Sequence, residues 1–185
     1  IVKEAGKTLI QVIDNGKGMS MTDARMSFER HATSKIREAK DLFAIRTMGF
    51  RGEALPSIAS VSRMRIVSRA SGEDAAEIFS DAGRLDGPRP AAFTGRSDTG
   101  TRIDVNDLFH ATPARLKFMR GERAEAMAVT DAVKRLAMAN PEVGFSMEHD
   151  GRRVLDVQGG QDRLARVAAL TNRDLAANSI GVDVD

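Results

Sequence analysis

Residues 7–19, KTLIQVIDNGKGM, decide the fold. Lys7 to Ile13 is a β-rich run, and Asp14-Asn15-Gly16 supplies the turn chemistry that ends it, so the stretch predicts a buried strand running into a tight turn. A carboxylate at such a strand end accepts hydrogen bonds only, which suits it to an exocyclic amine such as N6 of adenine. Gly16 and Gly18 let backbone approach a flat ring, and Met19 offers an adaptable apolar contact. The same residues also read as an ordinary DNG turn.

Outward from this stretch, Ser20 with Asp23 resembles a capping box and predicts a helix over 20–31. Residues 32–52 are polar and without clear periodicity, a long loop of the kind that serves as a functional lid. Glu53–Ser60 reads as a short helix with Pro56 in its first turn, and 61–69 as a half-exposed strand. A weaker strand spans 76–81. Turns with one edge strand fill 82–100, and a clean alternation over 101–107 turns Ile103 and Val105 inward. Residues 122–139 form an amphipathic helix presenting Ala126, Val129, Val133, Leu136 and Ala137. Strands at 143–149 and 152–157 flank Asp150-Gly151, a hairpin signal. Gln158-Gly159-Gly160 reads as a linker, followed by a helix at 161–170 and a broken strand at 179–185. Strands with interleaved helices point to an α/β sandwich: one mixed, mainly antiparallel sheet with helices on one face.

Composition removes whole classes of function. The chain has 185 residues, 42% of them hydrophobic, enough for a real core. No apolar run approaches the ~18 residues of a membrane span. With no cysteine, disulfide scaffolds, Cys-ligated zinc and thiol nucleophiles are excluded. His31, His110 and His149 lie too far apart in sequence for a metal-binding helix. All eight aromatics are Phe, which argues against an aromatic RNA-stacking platform. Net charge is only +2, so any nucleic-acid face must come from local clustering, for which Arg115, Lys117, Arg120 and Arg123 are the candidates. Their other reading is a solvated helix start, with Arg120 and Arg123 paired to Glu122 and Glu125. Ile1 at the start and Val184-Asp185 in mid-pattern read as a piece of a longer chain.

Neither a GxxxxGK[ST] loop nor a strand–GxGxxG–helix fingerprint is present. A second glycine-bearing segment, Gly49-Phe50-Arg51-Gly52-Glu53-Ala54-Leu55, opens a helix, whose unpaired N–H groups and positive dipole end suit a phosphate. Arg51 suits phosphate or carboxylate. An ordinary glycine-rich helix start fits equally. Thr33, Ser34 and Lys35 lie in the long loop, within reach of a triphosphate or simply solvated. Gly100-Thr101 opens a strand, where the threonine hydroxyl shares a water with Asp14 or satisfies the strand end.

The order of these segments carries more than any member. DNGKGM (14–19), RHATSKI (30–36), GFRGEAL (49–55) and DLFHATPARLKF (107–118) stand in the order of the GHKL ATPases, and within them the chain resembles the DNA mismatch repair MutL family more than the gyrase type. The resemblance implies a GHKL ATP-binding domain over 1–157, with 158–185 the linker and the start of a ribosomal-protein-S5-like second domain. It implies that Asp14 binds the adenine amine, that Gly16, Gly18 and Met19 shape that pocket, and that Thr101 assists through water. Thr33, Ser34 and Lys35 lie in the ATP lid, and Gly49, Phe50, Arg51, Gly52, Glu53 and Ala54 wrap the phosphates. DLFHATPARLKF buttresses the lid and the dimer surface. The implied activity is hydrolysis of ATP to ADP and phosphate, with Mg²⁺ as cofactor. The implied partners are a second copy of the chain, the mismatch recognition protein MutS and DNA, in the cytoplasm of a bacterium beside its nucleoid. The family's helix carrying a Glu general base and a Mg²⁺-ligating Asn has no match in these 185 residues, so this piece alone is expected to lack hydrolysis. The alternative of another class is a DNA-binding module without turnover.

Overall fold

The computed structural model describes residues 1–29, 53–95, 97–175 and 177–180. In chain order the elements are β1 (Val2–Lys3), β2 (Leu9–Ile13), α1 (Met21–Met26), α2 (Ala54–Ala59), β3 (Arg63–Arg69), β4 (Ala76–Asp81), β5 (Arg84–Pro90), β6 (Gly100–Asn106), α3 (Glu122–Ala139), β7 (Phe145–His149), β8 (Arg152–Val157) and α4 (Arg163–Leu170). They fall into two compact units, Gly6–Met119 and Ile1–Ala5 with Arg120–Asp185.

The Gly6–Met119 unit is a two-layer α/β structure whose strands run antiparallel in the order β5-β4-β3-β6-β2. Alternation sorts its side chains. In register across β4, β3 and β6 lie Ser80–Met64–Val105, Ile78–Ile66–Ile103 and Ala76–Ser68–Thr101. All nine stand on one face of the sheet because each strand repeats every two residues. Ala24 and Phe28 of the α1 segment and Ala59 of α2 cluster with Met64, Ile66, Ile78 and Val105, and Met19, Leu55 and Ile103 pack around them. Burial of each large apolar side chain there stabilises the unit by about 1.5–3 kcal/mol.

The other face is ionic. Arg65 donates to Glu77 Oε2 from Nε at 2.8 Å, Arg102 Nε donates to Asp104, and Arg89 pairs with Asp86. Arg63 donates to Asp107 at 2.8 Å and faces Asp81 at 3.6 Å. The Asp107 hydrogen bond and the two carboxylates raise the Arg63 pKa above its usual value, so this guanidinium stays charged.

The structure departs from the sequence expectations at several elements. The strand at 7–13 is present as Leu9–Ile13 but is not buried: Val12 and Ile13 are 58% and 46% exposed. Its unit's helices pack chiefly on β3 and β4. The strand at 61–69, expected half-exposed, starts at Arg63 and buries Met64, Ile66, Val67 and Ser68, because it is flanked by β4 and β6 and covered by α1 and α2. The helix expected over 20–31 spans only Met21–Met26. Ser20 caps it, accepting from the Asp23 N–H at 3.1 Å as the capping pattern implied, while its own hydroxyl donates to the Asp23 carboxylate. Residues 32–52, the expected lid, lie outside the described residues.

In the other unit β1 pairs parallel with β7, and β7 and β8 form the expected hairpin about Asp150 and Gly151, both at positive φ. Val2, Ala137, Met147, Leu155, Val157 and Leu170 form its core. The helix expected at 122–139 runs Glu122–Ala139. Its predicted inner face is real at Val129, Val133 and Ala137, whereas Leu136 is exposed. Arg166 of α4, fully buried, holds this unit together. Its guanidinium donates to the carbonyls of Ala137, Asn140, Pro141, Val143 and Gln158 and to Gln161 Oε1. Residues 179–180 carry no strand, and 181–185 lie outside the described residues.

Candidate functional site

The site is built where β2 ends. The Asp14 N–H donates to the Thr101 carbonyl at 2.9 Å, continuing the β2–β6 ladder by one bond. The Asp14 side chain then folds back: Oδ1 accepts from the N–H groups of Gly16 (2.9 Å) and Thr101 (3.2 Å). The Gly16 contact is an Asx turn, so the plain-turn reading of Asp14-Asn15-Gly16 is correct as local geometry. The turn is also docked. Thr99 Oγ1 donates to the Gly16 carbonyl at 2.9 Å, tying the loop to the start of β6. Asp14 is exposed, and among the described residues no donor reaches Oδ2, which is left as an acceptor at the strand end.

Gly18 and Gly100 are required by backbone, not by side-chain preference. Gly18 has φ +70°, and a Cβ there would overlap the Arg69 carbonyl oxygen; Gly100 has φ +146°, and a Cβ would overlap the Asp14 carbonyl oxygen. Sequence reasoning assigned Gly18 to the approach of a ligand ring. The structure assigns its smallness to the approach of β3.

Beneath the loop lies a hydroxyl pair that sequence reasoning missed. Ser68, only 1% exposed, accepts from the Met19 N–H at 2.9 Å, donates to the Gly100 carbonyl at 3.0 Å and lies 2.9 Å from Thr101 Oγ1. It thereby ties the DNGKGM loop to Gly100-Thr101. A signal existed: in Met64, Ile66, Ser68 a polar residue takes the third inward position. Reading 61–69 as half-exposed hid it.

Asp14, Gly16, Gly18, Met19 and Thr101 are therefore brought into one hydrogen-bonded neighbourhood. Glu53 and Ala54 open α2, with Glu53 at its N-cap position and its carbonyl accepting from the Ser57 N–H. Thr33, Ser34, Lys35, Gly49, Phe50, Arg51 and Gly52 lie outside the described residues.

DLFHATPARLKF begins anchored and ends exposed. His110 Nε2 lies 2.7 Å from Asp81 Oδ1, the Phe109 N–H donates to the Val61 carbonyl, and Asp107 holds Arg63. The following 3₁₀ turn, Pro113–Phe118, has every residue exposed, with Leu116 at 39% and Phe118 at 86%. Arg115 and Lys117 stand on that turn. At the start of α3 the Arg120 N–H, rather than its guanidinium, donates to Glu125 Oε1. No described helix is long and apolar enough to cross a membrane.

In an alignment of 184 residues that covers 100% of the chain and 30% of the relative, the chain is 54% identical to DNA mismatch repair protein MutL of Sphingopyxis alaskensis. The chain belongs to the MutL family. It is also 52% identical over 187 residues, covering 96% of its length, to DNA mismatch repair protein MutL of Caulobacter vibrioides. It spans about 30% of the length of these curated relatives. Among solved structures it is similar to the Aquifex aeolicus MutL ATPase domain complexed with ADP, at TM-score 0.66 and 31% identity, covering 89% of this chain and 57% of that one. No family model matches the chain. The expected GHKL ATPase-type α/β fold is thus borne out, by the antiparallel strands under α1 and α2 and by this structural likeness.

Proposed function

We propose that this chain supplies the adenine-binding part of a MutL-type ATPase, with Asp14 as the base anchor. The observation that carries the reading is the division of labour on that carboxylate. Oδ1 is saturated by two backbone N–H groups, which fixes the side chain, while Oδ2 remains an acceptor suited to an exocyclic amine. Gly16, Gly18 and Met19 shape the adjoining wall, and Thr101 lines it from β6. The likeness to an ATPase domain complexed with ADP supports a nucleotide as the ligand.

In this reading Gly49, Phe50, Arg51, Gly52, Glu53 and Ala54 approach the phosphates at the start of α2. Thr33, Ser34 and Lys35 belong to the lid, and DLFHATPARLKF backs the lid and the surface that meets a second copy. Mg²⁺, when bound, offsets charge on the triphosphate; no described residue is assigned to it. The whole protein acts as a clamp: ATP orders the lid, two N-terminal regions associate, and the closed state couples mismatch recognition by MutS to repair of the DNA. It works in the bacterial cytoplasm beside the nucleoid. Residues 158–185 are read as the passage into the second domain. Residues 1–185 assayed alone are expected to release no phosphate, since Glu4, Glu29 and Glu53 are not assigned as general base.

The test is thermal unfolding of the full-length protein with a non-hydrolysable ATP analogue. Wild type is expected to shift upward with analogue concentration, and Asp14→Asn to lose most of that shift. Equal shifts for both proteins reject Asp14 as the anchor.

A further inference from the structure

Resting on that nucleotide-site reading, we propose that Ser68 is a specificity-determining residue: by orienting the Thr101 hydroxyl it makes the base pocket an acceptor-only surface, selective for 6-amino over 6-oxo purines. A serine hydroxyl has one proton to donate and two lone pairs. The Gly100 carbonyl, 3.0 Å away, only accepts, so the Ser68 proton points there. The Met19 N–H, 2.9 Å away, only donates, so it occupies one Ser68 lone pair. The remaining neighbour at 2.9 Å is Thr101 Oγ1, and the one open role on Ser68 is acceptor. Thr101 therefore spends its proton inward on Ser68 and turns lone pairs toward whatever it meets on its other side.

The location matters as much as the count. Ser68 and Thr101 face each other in register on the side of the sheet that α1 and α2 cover, and the Thr101 N–H binds the same Asp14 carboxylate that offers Oδ2. Thr101 Oγ1 and Asp14 Oδ2 thus both present acceptors, directly or through one water. An adenine-type amine supplies the donors they need. A 6-oxo purine puts an acceptor where the amine stood, and its single donor on that edge, N1–H, replaces one of the two protons the amine offered, so one acceptor of the pair faces a lone pair, which is the costly kind of mismatch. Ser68 lies below the loop and is buried, so it acts on the base through Thr101 and the Met19 backbone.

The experiment measures binding of non-hydrolysable ATP and ITP analogues to the full-length protein, which differ at the 6-position. Wild type is expected to favour ATP strongly. Ser68→Ala frees the Thr101 proton to turn outward, so the ATP-to-ITP affinity ratio is expected to fall about tenfold, the size of one well-placed polar contact. Ser68→Thr, which keeps the hydroxyl, is expected to retain the ratio. A Ser68→Ala protein that loses affinity for both nucleotides in parallel, or keeps the wild-type ratio, overturns the inference, since a merely structural role moves both affinities together. If Ser68→Ala does not fold, Ser68→Cys reads the same ratio with a weak donor in place. Wild type that binds neither nucleotide overturns the nucleotide site itself, whereas an unchanged ratio with ATP binding intact overturns only the role of Ser68.

Discussion

At Gly18 the chain crosses so close to β3 that a methyl group meets the Arg69 carbonyl oxygen, and the backbone is held at φ +70°. An L-residue in that region costs about 1–2 kcal/mol before any clash is counted. Gly18→Ala is therefore expected to lower stability by more than 2 kcal/mol, read as the midpoint of urea unfolding, and to weaken nucleotide binding along with it. Gly72, also at positive φ but with open space around it, is the control, expected to lose only the conformational part. Similar losses at the two positions contradict the close approach. The same crowding explains what the sequence concealed: DNGKG reads as an ordinary tight turn, but two of its features are answers to backbone elsewhere. Asp14 pairs with an amide 87 positions away, and that distance in sequence carries no local signal.

Elements are held by a few polar groups placed at their ends. α1 depends on the Ser20 cap, and Ser20→Ala is expected to cost about 1 kcal/mol in the same urea assay. α4 works differently. Arg166 inserts a charged guanidinium among five carbonyls between the end of α3 and Gln158. Removing it withdraws a donor from all five carbonyls, of which those of Asn140 and Pro141 still accept from the Val143 and Gln161 N–H groups, and Arg166→Ala is expected to destabilise by on the order of 3–5 kcal/mol. Arg166→Lys is expected to recover little, because a point charge cannot span a fan of acceptors that a planar fork reaches. Full recovery with lysine would show that charge alone is needed. Nothing in the string RLARVAAL sets Arg166 apart from Arg163; position on the helix and the carbonyls that converge on it decide.

For the whole molecule, the charge distribution bears on DNA. Arg115 and Lys117 lie on an exposed turn next to Leu116 and Phe118, while the many arginines of the sheet are engaged with Asp and Glu. The double variant Arg115→Ala/Lys117→Ala of the full-length protein is expected to keep its DNA affinity and its salt dependence. If both cations neutralised phosphate, the slope of log affinity against log salt would flatten by about 2, a change easily read in a titration series. That outcome would move DNA binding onto this turn.

The amino-acid string by itself marked the strands and helices of residues 7–29 and 53–170, though not β1 or the end at 179–180, and it determined the family. Period-two alternation, a Ser–Asp cap and an Asp-Gly hairpin act over a few residues, and motif order survives any change of packing. Which strand lies in the middle, which glycines are sterically compelled, and which hydroxyl governs the strand-end site were decided only on folding. Those properties arise from pairing between residues tens of positions apart, where β3 meets β6 and both meet the loop after β2. Burial and proton direction are consequences of neighbours, and neighbours that are remote in sequence leave no mark on either segment alone.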